Sequence, residues 1–136
     1  MAREHSDKNP VYYIQNAHVR CAGILRKWVE AGYDLNAAEA ADLSLLTHEN
    51  EQKFLLKALD LPNILELAVN ESEPHHLTFY AYELASLFHP AYETCRVLHS
   101  ETPHEVRLAR LQFYRAAKQL FARVLDLMGM SASEVM

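Results

Sequence analysis

The sequence predicts an all-α fold, a helical bundle of about four to six helices, and three observations carry that reading. Half of the 136 residues are hydrophobic, yet there are only three glycines and five prolines, too few for a turn-rich β fold. Apolar residues recur at helical spacing through several long stretches, and sustained alternation with a period of two is missing. Proline, cap residues and glycine bracket those stretches where helices start and stop. A chain of this length makes one domain and buries a real core.

Residues 1–8 are polar and charged and are expected to form a frayed lead-in or linker, which leaves 9–136 as the helical domain. A long helix starts at Asn9-Pro10 and runs to about Ala31, where Gly32 stops it. Its apolar stripe is Val11, Ile14, Ala17, Cys21, Leu25, Trp28 and Val29, with His18 near the same line. The opposite side carries Tyr12, Tyr13, Asn16, Arg20 and Lys27. Two tyrosines with two bases are an unusual solvated face, and packing against a neighbouring helix is the plainer account of them.

Between Tyr33 and Leu46 the periodicity weakens, and Ala37 to Leu46 reads as a short helix or an ordered loop. Thr47 is placed to cap a helix from His48 to Leu59. Asp60-Leu61-Pro62 breaks that helix, and Pro62 to about Asn70 forms a short apolar one. Glu71-Ser72-Glu73 reads as a turn or cap. Pro74 then opens a long helix to about Cys95, with Leu77, Tyr80, Ala81, Leu84, Ala85, Phe88 and Tyr92 at helical spacing. Pro90 inside it is expected to kink the helix or end its regular hydrogen bonding nearby.

Residues 96–101 form a loop before the last long helix. There, Thr102 as N-cap, Pro103 at the first helical position and Glu105 spell a capping box. Gly129 ends the helix as a left-handed C-cap residue. Val106, Ala109, Phe113, Ala117, Leu120, Phe121, Val124, Leu127 and Met128 share one stripe. Leu108, Leu111 and Leu125 lie off it, so this helix is expected at the centre of the bundle, covered on several sides. Arg110 falls near the middle of the apolar stripe, where its charge needs a partner.

Composition excludes several function classes. No apolar run reaches the ~18 residues of a spanning helix, and no signal-peptide pattern opens the chain. Cys21 and Cys95 share no short metal or redox spacing, which suits reduced thiols in the cytoplasm. A formal net charge of −5 argues against a general nucleic-acid binder but leaves room for a local basic patch. Eight histidines invite a metal, yet His75 and His76 are adjacent, and neither His-x3-His nor HExxH occurs, so no metal site is expected. His18 reads as a satisfied core histidine. No nucleophile–base constellation or phosphate loop stands out. Arg107, Arg115 and Lys118 share a side of the last helix, which is a solvated face or a phosphate contact.

Three stretches together resemble the C-terminal region of arginyl-tRNA synthetases, with its so-called DALR anticodon-binding domain. Residues 9–20, Asn9-Pro10-Val11-Tyr12-Tyr13-Ile14-Gln15-Asn16-Ala17-His18-Val19-Arg20, with Ile24-Leu25-Arg26-Lys27 after them, are similar to the family's NPVYYVQYAHAR segment. Glu73-Pro74-His75, Leu77, Tyr80, Glu83-Leu84-Ala85, Phe88, Tyr92, Cys95 and Val97-Leu98 follow the family's next long helix. Ala109-Arg110-Leu111, Leu127-Met128-Gly129-Met130 and the final Met136 resemble its ARL motif, its ending and its terminal methionine. The resemblance covers nearly the whole chain in the family's order. Related helical domains occur in other class I synthetases, such as the cysteinyl enzyme, but the first segment and the terminal methionine point to the arginyl one. A stand-alone helical protein-interaction module using the Tyr12/Tyr13 face is the rival reading.

The resemblance implies a class I anticodon-binding bundle from an enzyme that joins arginine to its tRNA with ATP and Mg, as a monomer in the cytoplasm. The HIGH and KMSK-like motifs of that family's catalytic domain do not occur here. The chain is therefore expected to be a C-terminal fragment, inactive alone and without a cofactor of its own, with Met1 not the natural start. Its partners would be arginine tRNA and the catalytic domain of the same polypeptide, with no membrane. By the same resemblance, the tRNA-binding residues are Tyr12, Tyr13, Asn16, Arg20, Tyr92 and Met136. Tyr92 would stack on an unpaired base, and Met136 would close the pocket wall. Asn16 stands where the family usually has tyrosine, so either hydrogen bonding replaces stacking there or Tyr12 or Tyr13 compensates. Arg107, Arg110 and Lys118 remain candidates for the tRNA backbone or for structural pairing, with an ion pair favoured for Arg110.

Overall fold

The computed structural model describes residues 9–70 and 75–134. Among them every regular element is helical: α1 (Pro10–Glu30), α2 (Glu49–Ala58), α3 (Leu61–Asn70), α4 (His75–Thr94) and α5 (His104–Leu127), with 3-10 turns at Leu35–Ala40 and Leu43–Leu45. The expected lead-in over 1–8 and the turn at Glu71-Ser72-Glu73 lie outside the described residues. No described helix is long and apolar enough to cross a membrane.

Local chemistry sets the ends of α1. The Asn9 side-chain oxygen accepts from the amides of Val11 (3.0 Å) and Tyr12 (3.3 Å), and Pro10 fills the first position, where no amide partner is needed. At the other end Gly32 adopts φ 94°, a left-handed conformation costly for any side chain. Its amide reaches the Val29 carbonyl, and the Tyr33 amide reaches that of Trp28, closing a Schellman motif. The Tyr33 ring stacks on Trp28 at 4.5 Å and seals it. Gly129 ends α5 in the same way, with φ 75° and Met130 N–H donating to the Leu125 carbonyl at 2.8 Å.

Two predicted caps sit elsewhere. α2 is capped by His48, not Thr47: ring Nδ1 accepts from the Asn50 amide, and Glu51 Oε1 accepts from the His48 amide, both at 3.0 Å. An imidazole nitrogen can serve where a side-chain oxygen usually does. α5 begins after Pro103, which is its N-cap and not its first helical residue, and no side chain caps it. The Thr102 amide instead closes a turn onto His99, at 3.0 Å. The stretch after Tyr33 becomes two 3-10 turns because Asp34 and Asp42 each accept from the amide two residues on.

α1 and α5 pack antiparallel: the Trp28 and His104 rings are neighbours at one end, and Gln15 meets Ser131 at the other. α4 contacts all four other helices. It shares the central place expected of α5. The buried core joins Trp28, Tyr80, Phe88, Tyr114 and Phe121 with Phe54 from α2. Leu111 and Leu125, off the predicted stripe of α5, are fully buried, as cover on several sides requires. Val29 and Leu127, on predicted stripes, are exposed, each in the final turn of its helix. α3 buries no residue completely and packs chiefly on α4.

Candidate nucleic-acid interface

α1 and α4 run side by side in the same direction and leave a groove on the protein surface. A cleft of about 270 Å³ in it is lined by Tyr13, Asn16 and Arg20 from α1 and by Ser86, His89, Pro90 and Glu93 from α4. Three of the residues singled out in the sequence therefore meet at one place. The spacing 13, 16, 20 puts them on one helical face.

Inside the groove Arg20 is held on two sides. Its guanidinium carbon lies 4.5 Å from the centre of the Tyr92 ring, a cation–π arrangement. Its Nη1 donates to His89 Nδ1 at 3.0 Å. The other nitrogen of that ring, Nε2, lies 3.2 Å from the Tyr13 backbone carbonyl, which can only accept. The imidazole is thus neutral, with its proton on Nε2. His89 also touches the Tyr13 ring at 4.5 Å, and Tyr13 meets Tyr82 at 5.1 Å. The plainer expectation for Tyr13, packing on a neighbouring helix, holds in part, because its half-buried ring still lines the cleft.

Pro90 lies inside α4. The helix continues past it to Thr94, whose hydroxyl donates to the Pro90 carbonyl at 2.8 Å. Leu84, Phe88 and Ala91 bury this turn fully in the core, and the helix reaches close to the expected end near Cys95. Having no amide hydrogen, Pro90 cannot supply the helical donor that the Ser86 carbonyl would otherwise receive. Both residues line the cleft.

The family described as DALR anticodon binding domain matches residues 14–136. This chain belongs to that family. The arginine–tRNA ligase of Dehalococcoides mccartyi is 41% identical to it over 136 residues, which is all of this chain and 24% of that protein. The arginine–tRNA ligase of Acidithiobacillus ferrooxidans is 40% identical over 136 residues, again all of this chain and 23% of that protein. Among solved structures, Thermus thermophilus arginyl-tRNA synthetase superposes with a TM-score of 0.75 at 33% identity, covering 96% of this chain and 21% of that one. The chain thus spans about a quarter of the length of the curated relatives it matches.

Arg107, Arg110 and Arg115 on α5 of this DALR domain are tied to carbonyls of the chain itself. Arg110 Nε bonds Glu51 Oε2 at 3.1 Å, with the glutamate side chain 1% and the arginine 17% exposed. Its Nη1 donates to the Arg96 carbonyl at 3.0 Å, and Arg107 Nη2 donates to that of His99 at 2.8 Å. The Tyr114 hydroxyl donates to the Cys95 carbonyl at 2.8 Å, and burial pushes this phenol far above its ordinary range, so it stays a neutral donor. Three α5 side chains therefore hold the 95–99 loop by its carbonyls. Arg115 donates to the Leu35 carbonyl, and Lys118 pairs with Glu134 at 2.6 Å, which holds that carboxyl below its usual range.

After Gly129 the chain of the DALR domain returns to α1. Gln15 Nε2 donates to the Ser131 carbonyl at 3.1 Å, and the buried His18 ring donates through Nδ1 to that of Ser133 at 2.7 Å. His18 is the satisfied core histidine expected, with the tail as its partner. On the helical wheel Gln15 and His18 lie on one side of Tyr12, Asn16 and Val19, while Tyr13 and Arg20 lie on the other. Tyr12 is half-buried and not among the cleft-lining residues. Met136 lies outside the described residues.

Sequence reasoning missed Glu51 and His89. His89 gave the signal that had singled out His18, a histidine on an apolar stripe, four residues after Ala85. Among the described residues no group of three or more His, Cys, Asp or Glu is placed to hold a metal.

Proposed function

We propose that this DALR domain binds the anticodon loop of arginine tRNA, as part of an arginine–tRNA ligase. The observation that supports this best is the groove itself. It brings the Tyr13 ring, the Asn16 amide and the Arg20 guanidinium to one cleft, with the Tyr92 ring packed against that guanidinium. Those groups suit an unstacked base, which proteins hold by stacking and read by hydrogen bonds to its edges. Tyr13, Asn16 and Arg20 make the wall on α1. Tyr12 and Met136 stay candidates for tRNA contact by resemblance, and Lys118 stays a peripheral candidate for the tRNA backbone.

The activity of the whole enzyme follows the same reading. A catalytic domain of the same polypeptide would attach arginine using ATP and Mg, in the cytoplasm and as a monomer. Leu56, Leu59, Val69 and Phe79 are 66–76% exposed and suit cover by another part of such a polypeptide.

The test is titration of the chain with arginine tRNA and with the same tRNA carrying a swapped anticodon, at two salt concentrations. The expected result is tighter binding of the cognate tRNA and weaker binding of both as salt rises. Equal affinities would overturn the specificity claim, and an absent salt effect would overturn the phosphate contacts.

Pro90→Ala separates stability from reading. Alanine restores the amide donor to Ser86, so the variant is expected to melt higher than the parent. It also removes the freed acceptor, so discrimination between loops differing by one amino-bearing base, cytosine against uracil, is expected to narrow. A variant with higher melting temperature and unchanged discrimination would show that the Ser86 carbonyl reads nothing.

A further inference from the structure

A cleft of about 230 Å³ opens on the other flank of α1, along its seam with α5. His18 and Leu25 line it from α1, and Arg115, Lys118, Gln119 and Ala122 from one face of α5. This lining holds two cations and no carboxylate, although the chain has 18 acidic residues against 13 lysines and arginines. The carboxylate that reaches it comes from the tail, where Glu134 Oε1 accepts a hydrogen bond from Lys118 Nζ at 2.6 Å. The hydrogen bond and charge of Lys118 hold that carboxyl below its usual range, and His18 and Arg26 draw it lower still.

We propose that Glu134 stands in the place of an RNA phosphate, and that the backbone of the bound loop displaces it from Lys118 and Arg115. The proposal rests on the anticodon-loop reading above and adds a built-in competitor to it. The exchange asks little of the protein. Glu134 is 63% exposed, and ion pairs at such sites contribute little to stability. Gln15 and His18 hold the tail by the carbonyls of Ser131 and Ser133, so only the Glu134 side chain has to turn away. A phosphate diester fits the site better, because its two unesterified oxygens can be shared between the ammonium and the guanidinium. Arg115 spends one of its five N–H groups on the Leu35 carbonyl, which fixes its head and leaves donors for the ligand. The path is also short. Tyr13 and Arg20 lie on one flank of α1, and His18 and Leu25 on the other. A strand with a base in the groove therefore crosses one helix, about 10 Å wide, to bring a phosphate to Lys118.

The experiment is a set of titrations with the anticodon stem-loop of arginine tRNA, in which each loop phosphate in turn is replaced by a neutral methylphosphonate. The variants are Glu134→Gln, Lys118→Ala and the two combined, with melting curves to certify that each folds. Glu134→Gln is expected to tighten binding of the unmodified loop by roughly twofold to fivefold, the worth of an exposed ion pair. Lys118→Ala should weaken it by at least as much, and in that background Glu134→Gln should gain nothing. Both effects should vanish at one and the same methylphosphonate position. Glu66→Gln, which removes an exposed carboxylate from α3, is the control for net charge and should gain nothing.

A Glu134→Gln gain that is absent, that matches the Glu66→Gln control, or that persists without Lys118 would overturn the competitor. A Lys118→Ala loss spread evenly over the methylphosphonate positions would overturn the phosphate site. Those outcomes leave the anticodon reading standing, provided that the parent chain still prefers the cognate loop. Failure of the parent chain to bind the loop, or to prefer it, would overturn both.

Discussion

Replacing Glu51 with alanine is expected to lower the unfolding free energy of this DALR domain by about 3 kcal/mol, the cost of leaving a partly buried charge without its partner. Glu51 is fully buried and its two oxygens serve different elements: Oε1 caps α2 through the His48 amide, and Oε2 holds Arg110 on α5. Arg110 in turn bonds the carbonyl of Arg96. One substitution therefore removes a cap, unpairs a guanidinium and loosens the loop beside Tyr92. Urea unfolding with an unchanged slope is the check. The double variant Glu51→Ala/Arg110→Ala should lose much less than the sum of the single losses, because neither charge is stranded. A Glu51→Ala loss below about 1 kcal/mol would place the pair with ordinary surface bridges.

Phe88→Ala is expected to cost about 3–5 kcal/mol. The ring is fully buried and packs edge-on against Phe54, Tyr114 and Phe121, with centroids 5.8, 5.9 and 5.3 Å away. It ties α4 to both α2 and α5, so the cavity left behind touches three helices and has little room to close. His89 and Tyr92 flank Phe88 on the same helix, and their rings also contact it. RNA affinity should therefore fall together with stability. Phe88→Leu, which keeps most of the volume, should recover most of both. Thermal unfolding of the two variants side by side decides it.

Helix limits were legible wherever local chemistry sets them. Asn9-Pro10, Gly32 and Gly129 each satisfy backbone groups within their own turn, so their meaning does not depend on distant residues. His48 was missed as a cap because tertiary surroundings decided it, whereas Pro90 was read inside the long helix, where it lies. A histidine caps only where its ring is held facing the amides, and a proline stays inside a helix only where packing outweighs the lost bond. The site was legible in the same partial way. Periodicity put Tyr13, Asn16 and Arg20 on one face, but their partner wall is some seventy residues away. His89 joins that wall through two hydrogen bonds that no spacing rule foretells. Arg110 announced that it needed a partner, and nothing along the chain named Glu51.

The groove between α1 and α4 is the centre of this account, and backbone amide NMR of the chain titrated with the cognate anticodon stem-loop tests it most directly. The account predicts that the largest shift changes cluster at Tyr13, Asn16, Arg20, Ser86, His89 and Tyr92. Arg107 and Arg110, committed to the loop carbonyls and to Glu51, should move little. A footprint centred on α5, or on the exposed leucines of α2, with the groove unmoved, would contradict it.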